Sequence, residues 1–167
     1  MLTKNFYSYM RAVFQDTSAE FVKTDGTAVS KTYYSADNPF VVMKQWAASI
    51  STAGVSFGTG TTPATASDYV IESILGNTQI SVSTPNAVSF SRADTYDEYS
   101  VTFGITNKTA EAITISEVGL TACPNTSGTP FAFALVDHTV LDNPVTIPAG
   151  QSKQITYTIR FNYGDAV

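Results

Sequence analysis

Residues 98–107 read EYSVTFGITN. Tyr99, Val101, Phe103 and Ile105 share one parity, and Ser100, Thr102 and Thr106 share the other. A period of two with one apolar face marks an antiparallel strand that is dry on one side and wet on the other. The pattern returns in KQITYTIRFNY, residues 153–163, where Ile155, Tyr157, Ile159, Phe161 and Tyr163 alternate with polar residues. TQISVST (78–84) places Ile80 and Val82 on one face, and AVSFSRA (87–93) does the same with Val88 and Phe90.

The stretch AITISEVGLTA, residues 112–122, begins on one parity (Ile113, Ile115) and ends on the other (Val118, Leu120, Ala122). A parity switch inside one strand predicts a β-bulge or a sheet crossing near Ser116-Glu117. TPFAFALV (129–136) and NPVTI (143–147) read as two further strands. Turns fall at Asn107-Lys108-Thr109-Ala110 and at Pro148-Ala149-Gly150, the latter with Pro at its second position and Gly at its fourth. Short strands separated by Pro, Gly and Asn turns predict a mainly β chain, an antiparallel β-sandwich of jelly-roll or immunoglobulin-like type. The crossover helices that a parallel sheet requires are missing between these strands.

The first fifteen residues have a different period. Leu2, Phe6, Tyr9, Met10, Val13 and Phe14 recur every three to four positions and predict a one-faced helix over 1–15, with Thr3 as N-cap. That face must lie on the protein's own sheet or on another subunit. Asp25-Gly26, inside AEFVKTDGTAVSKTYY (19–34), predicts a hairpin. ADNPFVVMKQWAASI (36–50) is ambiguous. Asn38 and Pro39 suit a helix start, with Phe40, Met43, Ala47 and Ile50 in register, while Val41-Val42 also suits a strand.

The 167 residues fit one domain, 1–167, with the helix and an extended arm at 58–66 as appendages. Only 14% of residues are charged, against about 25% in an average soluble protein, so hydroxyls and amides must carry much of the surface polarity. The net charge is −5 and the nine Lys and Arg are scattered, which argues against nucleic-acid and membrane partners. One cysteine permits no intrachain disulfide. The sequence has no long apolar span, and its start lacks the apolar core and cleavage site of a signal peptide, so folding in a cytoplasm is expected.

Chemistry-bearing residues are few. His138 is the single histidine and follows Asp137. With no G-x-S-x-G elbow it reads as a turn or strand-end residue. Cys123 follows an apolar strand and reads as buried and inert. One His and one Cys leave zinc without ligands. Asp94, Asp97 and Glu98 form an acidic cluster without the calcium-loop frame and read as a solvated turn, with calcium left open. Asn107-Lys108-Thr109 and Asn125-Thr126-Ser127 match the glycosylation pattern and read as exposed turns. No cofactor is expected.

GTGTTPATASDYVIES, residues 58–73, lacks the Gly-Lys-Ser/Thr end of a phosphate loop, and no helix follows to make it a dinucleotide fingerprint. Thr and Pro favour extended backbone. The stretch therefore reads as a free arm pinned at its far end by Tyr69, Ile71 and Ile74, which a deletion of Gly58 to Ala66 should remove without unfolding the rest.

Three stretches together resemble small structural proteins of tailed-bacteriophage virions. The first is Gly58, Thr59, Gly60, Thr61, Thr62, Pro63, then Asp68, Tyr69 and Glu72. The second is TFGITNKTAEAITISEVGL (102–120), and the third is VLDNPVTIPAGQSKQITYTIRF (140–161). The helical start MLTKNFYSYM also fits, and the weakest match lies between Lys31 and Ala53. The resemblance implies a non-enzymatic component of head, collar or tail, assembled in the host bacterial cytoplasm. It would be homo-oligomeric or docked on major capsid, neck or tail proteins. Residues implied to touch neighbours are Phe6, Met10, Phe14, Gly58, Gly60, Thr61, Thr62, Pro63 and Tyr69. The alternative is a carbohydrate- or receptor-binding sandwich using Trp46, Tyr33 and Tyr34. An enzyme would require a carboxylate on one side of His138 and a hydroxyl on the other.

Overall fold

A computed structural model of the chain describes residues 1–15, 18–32, 45–83, 85, 88–123 and 133–162. It is mainly β, with α1 (Lys4–Gln15) followed by β1 (Ser18–Val22), β2 (Ala28–Thr32), β3 (Gly54–Gly58), β4 (Ile80–Ser83) and β5 (Ser89–Arg92). The long strands are β6 (Tyr96–Asn107), β7 (Ile113–Ala122), β8 (Ala134–Ile147) and β9 (Ser152–Asn162).

Two antiparallel sheets form the sandwich. One has the order β3-β7-β8. In the other, β6 pairs with β9 along its whole length, while β4 and β5 share its opposite edge end to end. The alternating residues meet between the sheets. Phe57 of β3 and Phe103 of β6 are both fully buried, with ring centroids 5.5 Å apart in edge contact. Val55, Val118 and Leu120 from the first sheet join Val101, Ile105, Ile155 and Ile159 from the second in one core. On the wet face, Ser100–Thr158, Thr102–Thr156 and Thr106–Ser152 hydroxyls bond across the β6/β9 ladder at 2.9, 2.9 and 2.7 Å.

Helix α1 docks on its own protein. Phe6 is in the main core, stacked on Phe161, and Tyr9 packs with Ala19, Phe21 and Ala134 in a second cluster. Asn5 fixes the helix to β1 by exchanging hydrogen bonds with the Val22 amide and carbonyl, and to β8 by donating to the Leu135 carbonyl. The Thr3 hydroxyl donates to the Leu135 carbonyl, so it ties the start of the helix to β8. Leu2 bridges Asp137 on the edge of β8, and Trp46 bridges Val55 on the far edge of β3. Both edges of this sheet therefore carry extra backbone pairing, which blunts an aggregation-prone edge.

The hairpin at Asp25-Gly26 forms between β1 and β2, with Gly26 at φ 83°. The parity switch also appears where expected. Between the pairs Ile115↔Val145 and Glu117↔Val140, β7 advances two residues while β8 advances five (145 − 140), which is an irregularity centred on Ser116.

Other expectations need correction. Residues 129–132 of TPFAFALV lie outside the described residues, and its end and NPVTI are not two strands, because residues 134–147 form the single strand β8. The final turn lies one residue later, with Gln151 N–H donating to the Pro148 carbonyl. Pro148 thus sits first and Gly150 third, at φ 67°, a position that favours glycine. Residues 45–50 are not helical, since Trp46 is bridged to β3 and Ala47 donates to the Val55 carbonyl. The rest of the helix considered at 36–50 lies outside the described residues, apart from this stretch. Asn107 is buried, donating to the Glu111 and Ile147 carbonyls, so its sequon is no open glycan acceptor. Asn125 lies outside the described residues.

Candidate functional site: a carboxylate clasp under the Gly-Thr-Gly loop

After the parity switch, Glu117 and Gly119 of β7 turn away from the core, and His138 of β8 pairs opposite Gly119. Glu117 and His138 are therefore diagonal neighbours on one outer face, close enough for long side chains to meet. Neither faces water, because residues 59–75 fold back over them. Glu117 is fully buried and His138 is 4% exposed.

A buried carboxylate is tolerated when hydrogen bonds replace its lost water. Glu117 Oε1 accepts from the Gly60 amide at 2.9 Å and the Ser73 amide at 2.7 Å. Its Oε2 accepts from the Glu72 amide at 2.9 Å and lies 3.2 Å from His138 Nε2. The other ring nitrogen, Nδ1, lies 2.6 Å from Asp68 Oδ2. Asp68 also accepts from the Thr65 amide and hydroxyl at 2.8 and 2.6 Å. Glu72 Oε2 accepts from the amides of Thr61 and Thr62, both at 3.1 Å.

The two glycines of the Gly-Thr-Gly run now have a physical reason. A Cβ on Gly58 would fall 2.3 Å from Glu117 Oε1 and 2.7 Å from the Ser73 carbonyl oxygen. A Cβ on Gly60 would fall 2.6 Å from the same carboxylate oxygen and from Glu72 Cβ. Only a backbone without side chains can approach the buried carboxylate this closely. Gly119 does the same for Ile71, whose Cγ2 lies 2.4 Å from where a Cβ would stand.

The charges support one another. Both nitrogens of His138 face carboxylate oxygens, so both must carry protons to donate, and the ring is an imidazolium. Its pKa is raised, first by its bond to Glu117 and then by Asp68, against the opposing effect of burial. Burial pushes Glu117 and Asp68 up, yet the bonds from His138 and the backbone amides hold Glu117 below its ordinary value. The Thr65 and His138 bonds do the same for Asp68. Glu72 is lowered by the Thr62 and Thr61 amides.

This geometry corrects the reading of 58–73 as a free arm. Gly58 is the last residue of β3, Gly60 is buried on Glu117, and the segment is fastened at both ends and in its middle. Deleting Gly58 to Ala66 would strip Glu117 of the Gly60 amide and Asp68 of its two Thr65 donors, so an intact remainder is not expected. His138 is likewise a buried mid-strand residue, not a turn or strand-end one. Both its nitrogens are committed to carboxylates, so neither is turned toward a hydroxyl.

The remaining sequence candidates are dispersed. Phe6 belongs to the core, Met10 is half-buried against it, and the Phe14 side chain lies outside the described residues. Thr61, Thr62 and Pro63 are exposed at the crest of the loop, and Tyr69 is 41% exposed with its ring next to Gly26 of the β1/β2 turn. Trp46 packs against the core, while Tyr33 and Tyr34 lie outside the described residues. Cys123 is half-buried. Asp97 is paired with Arg92 and Glu98 with Arg160 across neighbouring strands, while Asp94 is exposed in the bend between β5 and β6. Among the described residues no group of three His, Cys, Asp or Glu is placed to hold a metal ion, and no helix is long and apolar enough to cross a membrane.

No family model, curated protein or solved structure matches this chain.

Proposed function

We propose that the chain is a structural component of a tailed-bacteriophage virion, a non-enzymatic sandwich that self-associates or docks on capsid, neck or tail proteins. The observation that carries this reading is where the phage-like stretches go. Gly58, Gly60, Asp68 and Glu72 of the first stretch and Glu117 of the second meet in one clasp. Their polar groups are spent on holding a loop in shape. The product is a fixed crest, Thr61-Thr62-Pro63, whose first two amides are already bonded to Glu72 while the side chains face outward. A preorganised exposed crest suits docking, because little ordering remains to be done on contact.

In this reading the contact residues are Thr61, Thr62, Pro63 and Tyr69. Gly58 and Gly60 act beneath them by making room for Glu117, and Phe6 acts by seating the helix. The test is immunogold electron microscopy on particles from the host that encodes the chain, paired with a crest variant, T61A/T62A/P63A. Label at a regular place on head, neck or tail, lost in the crest variant while the protein remains folded, is the expected result. Unlabelled particles alongside free protein in the lysate would overturn it and favour the carbohydrate- or receptor-binding alternative.

A further inference from the structure

The loop from Thr59 to Ser73 is held in two tiers of different chemistry. Its neck is closed by neutral backbone bonds and by Glu117. Thr59 donates to the Ser73 carbonyl, Leu75 donates to the Phe57 carbonyl, Gly58 bridges Ile74, and Glu117 receives the amides of Gly60, Glu72 and Ser73. Thr61 and Thr62 belong to the neck, since their amides donate to Glu72, whose own amide is on Glu117. The crest beyond them is fastened to the body by the Asp68–His138 contact and by the Lys4 amide on the Ala66 carbonyl. The geometry points to a pH-gated catch: Asp68 and His138 hold the crest, residues 63–70, and loss of the imidazolium proton frees it while Glu117 and Glu72 keep the neck shut.

The charged groups around His138 decide which contact yields. Asp68 faces it from the loop and Glu117 from β7. Glu72 stands behind Glu117, to which its own amide is bonded. On β8, Asp142 shares an open groove with His138, while Asp137 turns to the other face and accepts from Tyr157. Lys4 lines a second groove on the far side of Asp68. The amino group of Met1 sits at the His138 carbonyl and on Asp137.

A neutral imidazole keeps one N–H, so one ring nitrogen would then present a lone pair to a carboxylate oxygen. Glu117 is 1% exposed as a side chain and cannot be rehydrated in place, and it retains its three amide donors. Asp68 is 24% exposed and can turn to water. The remaining proton therefore stays toward Glu117, and the Asp68 side opens. This catch does not depend on the virion reading, and its test needs no particle.

The chain has one histidine, so its ring resonances report the site directly. The experiment is a pH titration of those resonances on the full chain, alongside amide hydrogen exchange corrected for intrinsic rate. The expected result has the amides that report crest docking (Thr65 on Asp68, and Lys4 on the Ala66 carbonyl) losing protection about tenfold or more as the ring loses its proton, the scale of one charged hydrogen bond. Neck amides (Gly60, Ser73) stay protected. In D68N, crest protection is low at every pH and no longer follows the ring, with the neck amides confirming that the protein is folded. Crest protection that is flat through the titration, crest and neck opening together, or an unchanged pH response in D68N would each overturn the proposal.

Discussion

His138 Nε2 lies 3.2 Å from Glu117 Oε2, on an outer sheet face where both side chains are closed off from water. The pair survives there because three backbone amides of a distant loop complete the coordination of the carboxylate. Removing either member leaves the other as a buried charge with an unfilled partner.

Substituting Glu117 by Gln should therefore be costly although the shapes match. The amide has one acceptor oxygen where the carboxylate has two, and its NH2 would be turned toward a donor. Breaking a buried pair in this way costs about 3–5 kcal/mol. Urea denaturation of E117Q against the parent chain measures it, with a fall in midpoint and little change in slope.

Gly60→Ala and Gly58→Ala should each destabilise by about 1–3 kcal/mol, the range of overpacking in a close-packed site. Gly150→Ala is the control. Its position has φ 67° but nothing within 4 Å of a Cβ, so it should lose only about 1 kcal/mol from backbone strain. Thermal unfolding of the three variants ranks them, and equal losses would mean that crowding at Glu117 does not matter.

The pH profile of stability has a definite shape. The folded pKa of His138 is raised, so its contribution is fully present below its ordinary value of about 6.5 and is lost as pH rises through the folded value. Glu117 and Asp68 are lowered, so theirs is present above about 4.5 and is lost as pH falls through the folded values. Stability from the clasp is greatest between those limits. Melting temperature measured across pH should plateau there, and His138→Gln should flatten the alkaline limb.

Tyr157→Phe tests a second buried polar pair. The Tyr157 hydroxyl donates to Asp137 Oδ2 at 2.8 Å, and burial followed by the Asp137 charge pushes the phenol well above its ordinary pKa. Loss of the donor should cost about 1–3 kcal/mol by leaving Asp137 underbonded. Because that phenol stays neutral in the folded state, alkaline difference spectroscopy should show the Tyr157 contribution appearing only on unfolding.

Much of the fold was legible because alternation is local. Tyr99 to Ile105 and Ile155 to Phe161 announce their faces within a few residues, and the shift from Ile115 to Val118 located an irregularity that the β7/β8 register bears out. The clasp was not legible for the opposite reason. Asp68, Glu117 and His138 are far apart in sequence, and no local pattern says that β7 and β8 will lay them side by side. One signal was present: Glu117 is a lone charge inside an apolar strand, at the parity switch itself, where a carboxylate needs donors from somewhere. The single strand over 134–147 was missed because TPFAFALV and NPVTI are separated by a less regular stretch that hides their continuity, whereas residues 141–144 are the part of β8 that loops out opposite Ser116.

The long sequence separations within the clasp also set an order of events. Glu117 can receive the Gly60 amide only after β7 has found β3, and His138 can reach Glu117 only after β8 has found β7. Closing such non-local contacts is slow and comes after the ladders that define them. Seating of the Gly-Thr-Gly loop is thus expected to follow the main barrier, which the kinetics of clasp variants test. Variants in the clasp should leave the refolding rate nearly unchanged and appear instead as faster unfolding. For a protein whose folded lifetime matters more than its speed of formation, the clasp acts as a brake on coming apart.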